Sequence, residues 1–230
     1  KGSVVFKALF GGKRGMNIIK PSIEILDSLD QQAILKRLEL VGRLCYKSED
    51  KITELSCVPF VQRLISSGHH AMLEFVDITV RVICDRGVSH EIVRHRIASY
   101  AQESTRYCNY SIGKFNREIT VIRPCFWIDY WDDAPSARFT KDGDITPYGH
   151  WMDSMQAAED SYMSLIDSGA SPQEARSVLP NSLKTEIIVK MNIREWRHFF
   201  MLRTSPKAHP QMREIAQMLL SEFASKLPVL

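Results

Sequence analysis

The chain has 230 residues, enough for one domain with a substantial core, and its 44% hydrophobic and 25% charged content are ordinary for a globular protein. No apolar run approaches the roughly 20 residues that a membrane helix needs. The net charge of +3 is uneven: Lys1, Lys7, Lys13 and Arg14 fall where no acid occurs, and the rest of the chain holds 26 basic against 27 acidic residues, which excludes a distributed polyanion-binding face.

Residues 1–15 read as a vector-derived remnant or a loose leader, because Met16-Asn17-Ile18-Ile19-Lys20 looks like a natural beginning. The remainder, 16–230, reads as a single domain. Residues 17–26 alternate loosely and predict a first strand. Asp30 can cap a helix that carries Ile34, Leu38, Val41 and Cys45 on one face. Ser56 and Pro59 open another helix, with Phe60, Val61, Leu64 and Ile65 inward and Gly68 as its stop. Residues 74–84 are β-branched and alternate, as a strand does. Asp85 or Ser89 then starts a helix expected to run through Arg94–Tyr107. Ile119–Ile122 is a further strand, and 129–146 an irregular Asp-, Pro- and Gly-rich excursion.

Thr146-Pro147 begins a long helix with Trp151, Met155, Ala158, Tyr162 and Ile166 along one stripe. Ser171-Pro172-Gln173-Glu174 is a capping box. Thr185–Met191 predicts a strand. Asn192 and Glu195 cap a helix that runs to about Arg203, and His209-Pro210 opens the last one, with Met212, Ile215, Leu219 and Phe223 inward. Strands and helices mix without regular β-α-β spacing, which predicts an α+β fold with a mostly antiparallel central sheet. The absence of G-x-G-x-x-G argues against a dinucleotide-binding fold of that type.

The five cysteines, Cys45, Cys57, Cys84, Cys108 and Cys125, are odd in number and form no C-x-x-C. That argues against a disulfide framework or zinc site and for a reducing, cytoplasmic setting. The histidines at 69, 70, 90 and 95 include no i, i+4 pair and no H-E-x-x-H, so no metal centre is expected. Gly68-His69-His70 by itself fits a helix C-terminus, where histidines meet the last carbonyls.

Arg94-His95-Arg96-Ile97-Ala98-Ser99-Tyr100-Ala101-Gln102-Glu103-Ser104-Thr105-Arg106-Tyr107 is the most informative stretch. It gathers guanidinium groups, an imidazole, hydroxyls, an amide and phenols around little apolar bulk. Ordering such side chains costs entropy that burial does not return. Arg suits bidentate capture of phosphate. The spacing Arg-His-Arg, seven residues, Ser resembles the signature of flavin-dependent thymidylate synthases. Gly68-His69, Glu91, Ala175-Arg176-Ser177-Val178-Leu179-Pro180 and Asn192–Arg203 follow the same order, so the resemblance spans essentially everything from Met16 onward.

The resemblance implies methylation of dUMP to dTMP, with 5,10-methylenetetrahydrofolate as carbon donor, FAD as hydride carrier, NADPH as reductant and tetrahydrofolate released. It implies a homotetramer whose active sites are shared between subunits. It places Glu91, Arg94, Gln102, Ser104, Arg106, Arg176 and Arg203 on dUMP. It places His69, Arg94, His95, Arg96, Gln102, Asn192 and His198 on FAD or the folate-facing pocket, with Arg203 and Arg94 in catalytic roles. The chain departs from the family at Ala71, which cannot offer a hydroxyl, at Phe75, where relatives often have His, and at Gln102, which is Glu in some.

Overall fold

The computed structural model describes residues 16–127 and 138–230. The proposed leader and the first part of the 129–146 excursion lie outside the described residues. Seven α-helices and six strands are described: β1 Asn17–Ile19, β2 Ser22–Ile25, α1 Gln31–Tyr46, α2 Cys57–Ser66, β3 Asp77–Asp85, α3 Arg86–Ile92, β4 Ser99–Gln102, β5 Thr120–Ile122, α4 Pro147–Asp167, α5 Pro172–Ala175, β6 Lys184–Asn192, α6 Ile193–Arg203 and α7 Pro210–Lys226. This is the expected α+β mixture. The main sheet runs β2-β3-β6-β4 and is antiparallel; Leu26 N donates to Thr79 O and Ile193 N to Val76 O.

The residues form two compact units. Among the described residues, the first takes Met16–Pro21, Ile83–His90 and those within Gln102–Glu186. Its β1 pairs with β5 in parallel, Ile18 opposite Val121. Its core gathers Met16, Tyr110, Ile119, Val121, Met155, Tyr162 and Leu183. Glu159 is buried here, accepting from Ile119 N at 2.7 Å, and burial pushes its carboxyl above the usual range. Thr146 caps α4 by accepting from Gly149 N, and the Ser171–Glu174 capping box forms as expected.

The second unit takes Ser22–Val82, Glu91–Ala101 and Ile187–Leu230. Its helices bury an aromatic cluster of Trp196, Phe199, Phe200 and Phe223, and Trp196 Nε1 donates to Ile78 O at 3.0 Å. Asp30 caps α1 through Ala33 N. Asn192 caps α6 through Glu195 N at 2.9 Å. Gly68, at φ +73°, ends α2 in a conformation that only glycine adopts freely.

Three expectations need correction. The strand over 17–26 is two strands, because Pro21 has no N–H to continue a ladder. In α1 the buried face is Ile34, Leu35, Leu38, Glu39, Gly42 and Arg43, while Cys45 is exposed. An ion pair rotates the helix from its apolar stripe: Arg43 Nε meets Glu39 Oε1 at 2.8 Å, and Ser56 Oγ donates to Glu39 Oε2. The Arg94–Tyr107 stretch is not helical. Asp85 caps α3 through Val88 N, but α3 ends at Ile92. Tyr100 Oη then donates to the Ile92 and His95 carbonyls, which a continuing helix would have used, and Ser99–Gln102 enters the sheet as β4.

Candidate active site

In the second unit, the end of α3, the turn after it and one face of α6 bring together Glu91, His95, Glu195, His198 and Arg203. Arg203, in the last turn of α6, spends three N–H groups. Its Nε donates to His95 Nε2 at 3.1 Å, its Nη1 to Glu91 Oε2 at 2.8 Å and its Nη2 to the Glu91 carbonyl at 3.1 Å. Guanidinium carries five such donors, so two remain for a ligand. Its side chain is 19% exposed.

His95 is buried and its Nδ1 lies 2.9 Å from Glu195 Oε1. Burial pushes the imidazole below its ordinary range and the Arg203 charge adds to this, while Glu195 opposes both. Burial and Arg203 together favour the neutral imidazole. His198 also approaches Glu195, its Nδ1 at 3.4 Å. The ligand atoms of His95, Glu195 and His198 lie within 4.8 Å of one another. The cation beside this cluster is the Arg203 guanidinium. Tyr100 is half-buried; that burial and the Glu195 charge push its phenol up to about 12, so it stays a donor that staples the His95 turn.

Arg94 and Arg96 flank His95 with exposed side chains that no described residue holds. A cavity of about 370 Å3 opens in the same unit, with His69, His70, Ala71, Tyr46 and Arg194 among its walls. His69 Nδ1 meets Tyr46 Oη at 3.3 Å, and His70 Nε2 meets the Ile65 carbonyl at the end of α2, as expected of histidines at a helix C-terminus. Phe75 is 55% exposed. Asn192 spends its side-chain oxygen on the α6 cap and keeps its amide hydrogens. This donor set fits an anionic aromatic dinucleotide: two uncommitted guanidinium groups suit a pyrophosphate, and the cavity beside His69 suits part of a flat ring system.

The first unit holds Gln102, Ser104, Arg106 and Arg176. Gln102 Nε2 donates to Ser89 Oγ at 2.9 Å and to Thr185 Oγ1 at 3.1 Å, which leaves Oε1 as an acceptor. Ser104 Oγ accepts from Arg106 N in the turn that follows β4. Arg106 is exposed, its guanidinium 5.5 Å from the Tyr107 ring. Arg176 is exposed and reaches Thr105 Oγ1 at 3.5 Å. Lys184 pairs with Glu103 at 2.7 Å. Cys84 and Cys108 have thiols pushed up by burial, so both stay protonated.

The chain matches the family described as Thymidylate synthase complementing protein over residues 27–229. It belongs to the flavin-dependent thymidylate synthase family. It is similar to the flavin-dependent thymidylate synthases of Pyrococcus furiosus, at 33% identity over 80% of this chain and 70% of that protein, and of Geobacter sulfurreducens, at 34% over 79% and 73%. Its fold is similar to that of a UMP/dUMP methylase, PolB, from Streptomyces cacaoi, solved with 5-Br dUMP, at TM-score 0.69 and 24% identity over 93% of this chain and 94% of that one. The chain is thus an enzyme of this family. Sequence reasoning missed one participant at the site. Glu195 reads in the sequence only as a cap residue, and its contact with His95 spans 100 positions.

Proposed function

We propose that this chain methylates dUMP to dTMP, taking its carbon from 5,10-methylenetetrahydrofolate, releasing tetrahydrofolate and using NADPH as reductant. The observation that carries this reading is the Arg203 guanidinium, fixed on three sides by Glu91 and His95 with two N–H groups unspent. Such a fork suits a planar acceptor on which negative charge grows, as on uracil when its C5 becomes nucleophilic. Because its donors are already oriented, little reorganisation is needed as that charge develops.

Ser104, Arg106 and Arg176 hold the nucleotide, chiefly its phosphate, and Gln102 Oε1 accepts from it. Glu91 acts on the nucleotide and orients Arg203. Arg94, His95, Arg96, His69, Asn192 and His198 hold FAD, with Arg94 reaching the nucleotide as well. Bound FAD supplies the hydride. The chain's contribution is to hold two flat rings in register and keep water from them. No cysteine attacks the substrate: Cys57 and Cys84 are buried, and the Cys84 and Cys108 thiols are held protonated. Cys45, Cys57, Cys84 and Cys108 form no disulfide, and the proposed setting is cytoplasmic. The active assembly is a homotetramer with sites shared between subunits.

Support comes from the family membership and from the related methylase that holds a bromo-dUMP. The test is dTMP formation by the purified protein with dUMP, methylenetetrahydrofolate, NADPH and FAD. The expected folate product is tetrahydrofolate. Flavin binding without any dTMP would point to another pyrimidine or folate reaction.

A further inference from the structure

We infer that Glu195 is a positioning residue for this reaction: its carboxylate fixes the tautomer of His95, and His95 in turn aims the Arg203 guanidinium. The inference rests on the reading that Arg203 acts on the substrate.

The argument begins with the inventory of donors. A guanidinium has only N–H groups, so its contact with His95 Nε2 at 3.1 Å requires a lone pair on that nitrogen. A neutral imidazole carries one N–H, which must therefore sit on Nδ1. Nδ1 faces Glu195 Oε1 at 2.9 Å, and the carboxylate accepts that proton's hydrogen bond. A doubly protonated ring would set N–H against N–H at Arg203 and place two cations side by side.

Glu195 is itself held. It occupies the first turn of α6, where Asn192 binds its backbone N–H, and its side chain is only 8% exposed. His95 cannot tilt freely, because the Phe199 ring lies 5.0 Å from it, centre to centre, and the Tyr100 hydroxyl binds its carbonyl. The ring is a fixed relay with one adjustable property, the position of its proton. Remove the Glu195 carboxylate and the Nδ1–H form loses its acceptor. The ring then takes the Nε2–H form that free imidazole favours, which opposes the Arg203 Nε–H. The guanidinium keeps Glu91 but loses the contact that sets its plane.

This arrangement resembles the carboxylate–histidine pairs that orient metal ligands, where the outer partner changes function by about 10–100-fold. Here the oriented group is a guanidinium, and Glu195 touches none of the reacting atoms.

The test joins tautomer and turnover. Protein labelled with 15N-histidine, with the His95 signals assigned by loss in His95→Gln, reports which ring nitrogen carries the proton. The wild type is expected to show Nδ1–H with an unprotonated Nε2. Glu195→Ala is expected to move the proton to Nε2 and to lower kcat for dTMP by about 10–100-fold, with a smaller change in KM for dUMP. Glu195→Gln retains an oxygen acceptor and is expected to recover the tautomer and most of kcat. In an Arg203→Ala background, Glu195→Ala is expected to cost little more, because both act through one group. An Nε2–H His95 in the active wild type overturns the inference, even if Glu195→Ala fails to fold. So does a Glu195→Ala enzyme that keeps the Nδ1–H form yet loses turnover, or that turns over normally. A wild type with the expected tautomer but no dTMP activity refutes the thymidylate reading instead.

Discussion

Arg203→Ala perturbs the group on which the proposed chemistry depends most. Truncation removes three donated bonds at once, leaving the Glu91 carboxylate without its cation and His95 Nε2 without a donor. The two members of the ion pair keep 19% and 32% side-chain exposure, so water replaces part of what is lost. The cost to folding is then about 1–2 kcal/mol, below that of breaking a fully buried pair. Turnover should suffer more. Removing one donor from a preorganised electrostatic site costs about 100- to 1,000-fold in kcat, roughly 2.7–4 kcal/mol. Arg203 has two donors to offer, so the expected loss is on the order of 100-fold or more. Arg203→Lys keeps a charge but cannot satisfy His95 and both Glu91 oxygens from one plane, and it should recover little. The assay is dTMP formed per flavin at saturating dUMP, with flavin content and melting temperature read on the same sample. Flavin should stay bound, and NADPH should still reduce it, without methylation following. A near-normal dTMP yield refutes the reasoning and moves uracil activation to Arg94.

Ser104→Ala should weaken dUMP binding by about 1–2 kcal/mol, the scale of a hydrogen bond to a charged group, with turnover at saturating dUMP partly retained; normal binding with no product would make Ser104 a participant in the chemistry. Each cysteine changed singly to Ala should still give measurable dTMP, with losses at buried Cys57 and Cys84 following the melting temperature; abolished turnover in a folded, flavin-loaded variant would restore a covalent mechanism. Light scattering at micromolar concentration should report a homotetramer; a monomer with full turnover contradicts the shared-site assignment. Glu159 has a carboxyl raised above its ordinary value by burial, so between its unfolded and folded pKa the native state holds a proton that the unfolded chain releases. Its contribution to stability therefore falls as pH rises through that window, and Glu159→Gln, which can still accept from Ile119 N, should flatten that fall in a melting-temperature series; an unchanged pH profile refutes the assignment.

The helix starts were legible because capping is local. Asp30, Thr146 and Asn192 each accept from a backbone N–H three residues ahead, Ser171 bonds the Glu174 carboxylate, and Pro210 opens the last helix through its fixed φ. The inward stripe of α7, Met212, Ile215, Leu219 and Phe223, followed from periodicity because nothing polar competes on that face. α1 was misread because the buried Glu39–Arg43 pair sits where an apolar stripe would be expected, and Gly42 there packs against the Phe60 ring. The stretch from Arg94 was misread as helix because its termination depends on Tyr100 reaching back to Ile92, and on strand pairing that no local pattern announces. Glu91 and Arg203 were both named as nucleotide contacts, yet their mutual bond at 2.8 Å was not foreseen, nor was the role of Glu195. Residue type pointed to chemistry; only the fold pairs residues 100 or more positions apart.

The proposed function has this chain make dTMP with a bound flavin as the source of reducing equivalents and no cysteine adduct. The most direct measurement is an anaerobic single turnover. Enzyme with its flavin reduced is mixed with dUMP and methylenetetrahydrofolate, with no NADPH or oxygen present, and flavin absorbance and dTMP are followed together. The account predicts return of the oxidised flavin spectrum with one dTMP per flavin and tetrahydrofolate as the folate product. Flavin that stays reduced while dTMP accumulates, or dTMP accompanied by dihydrofolate, would contradict it.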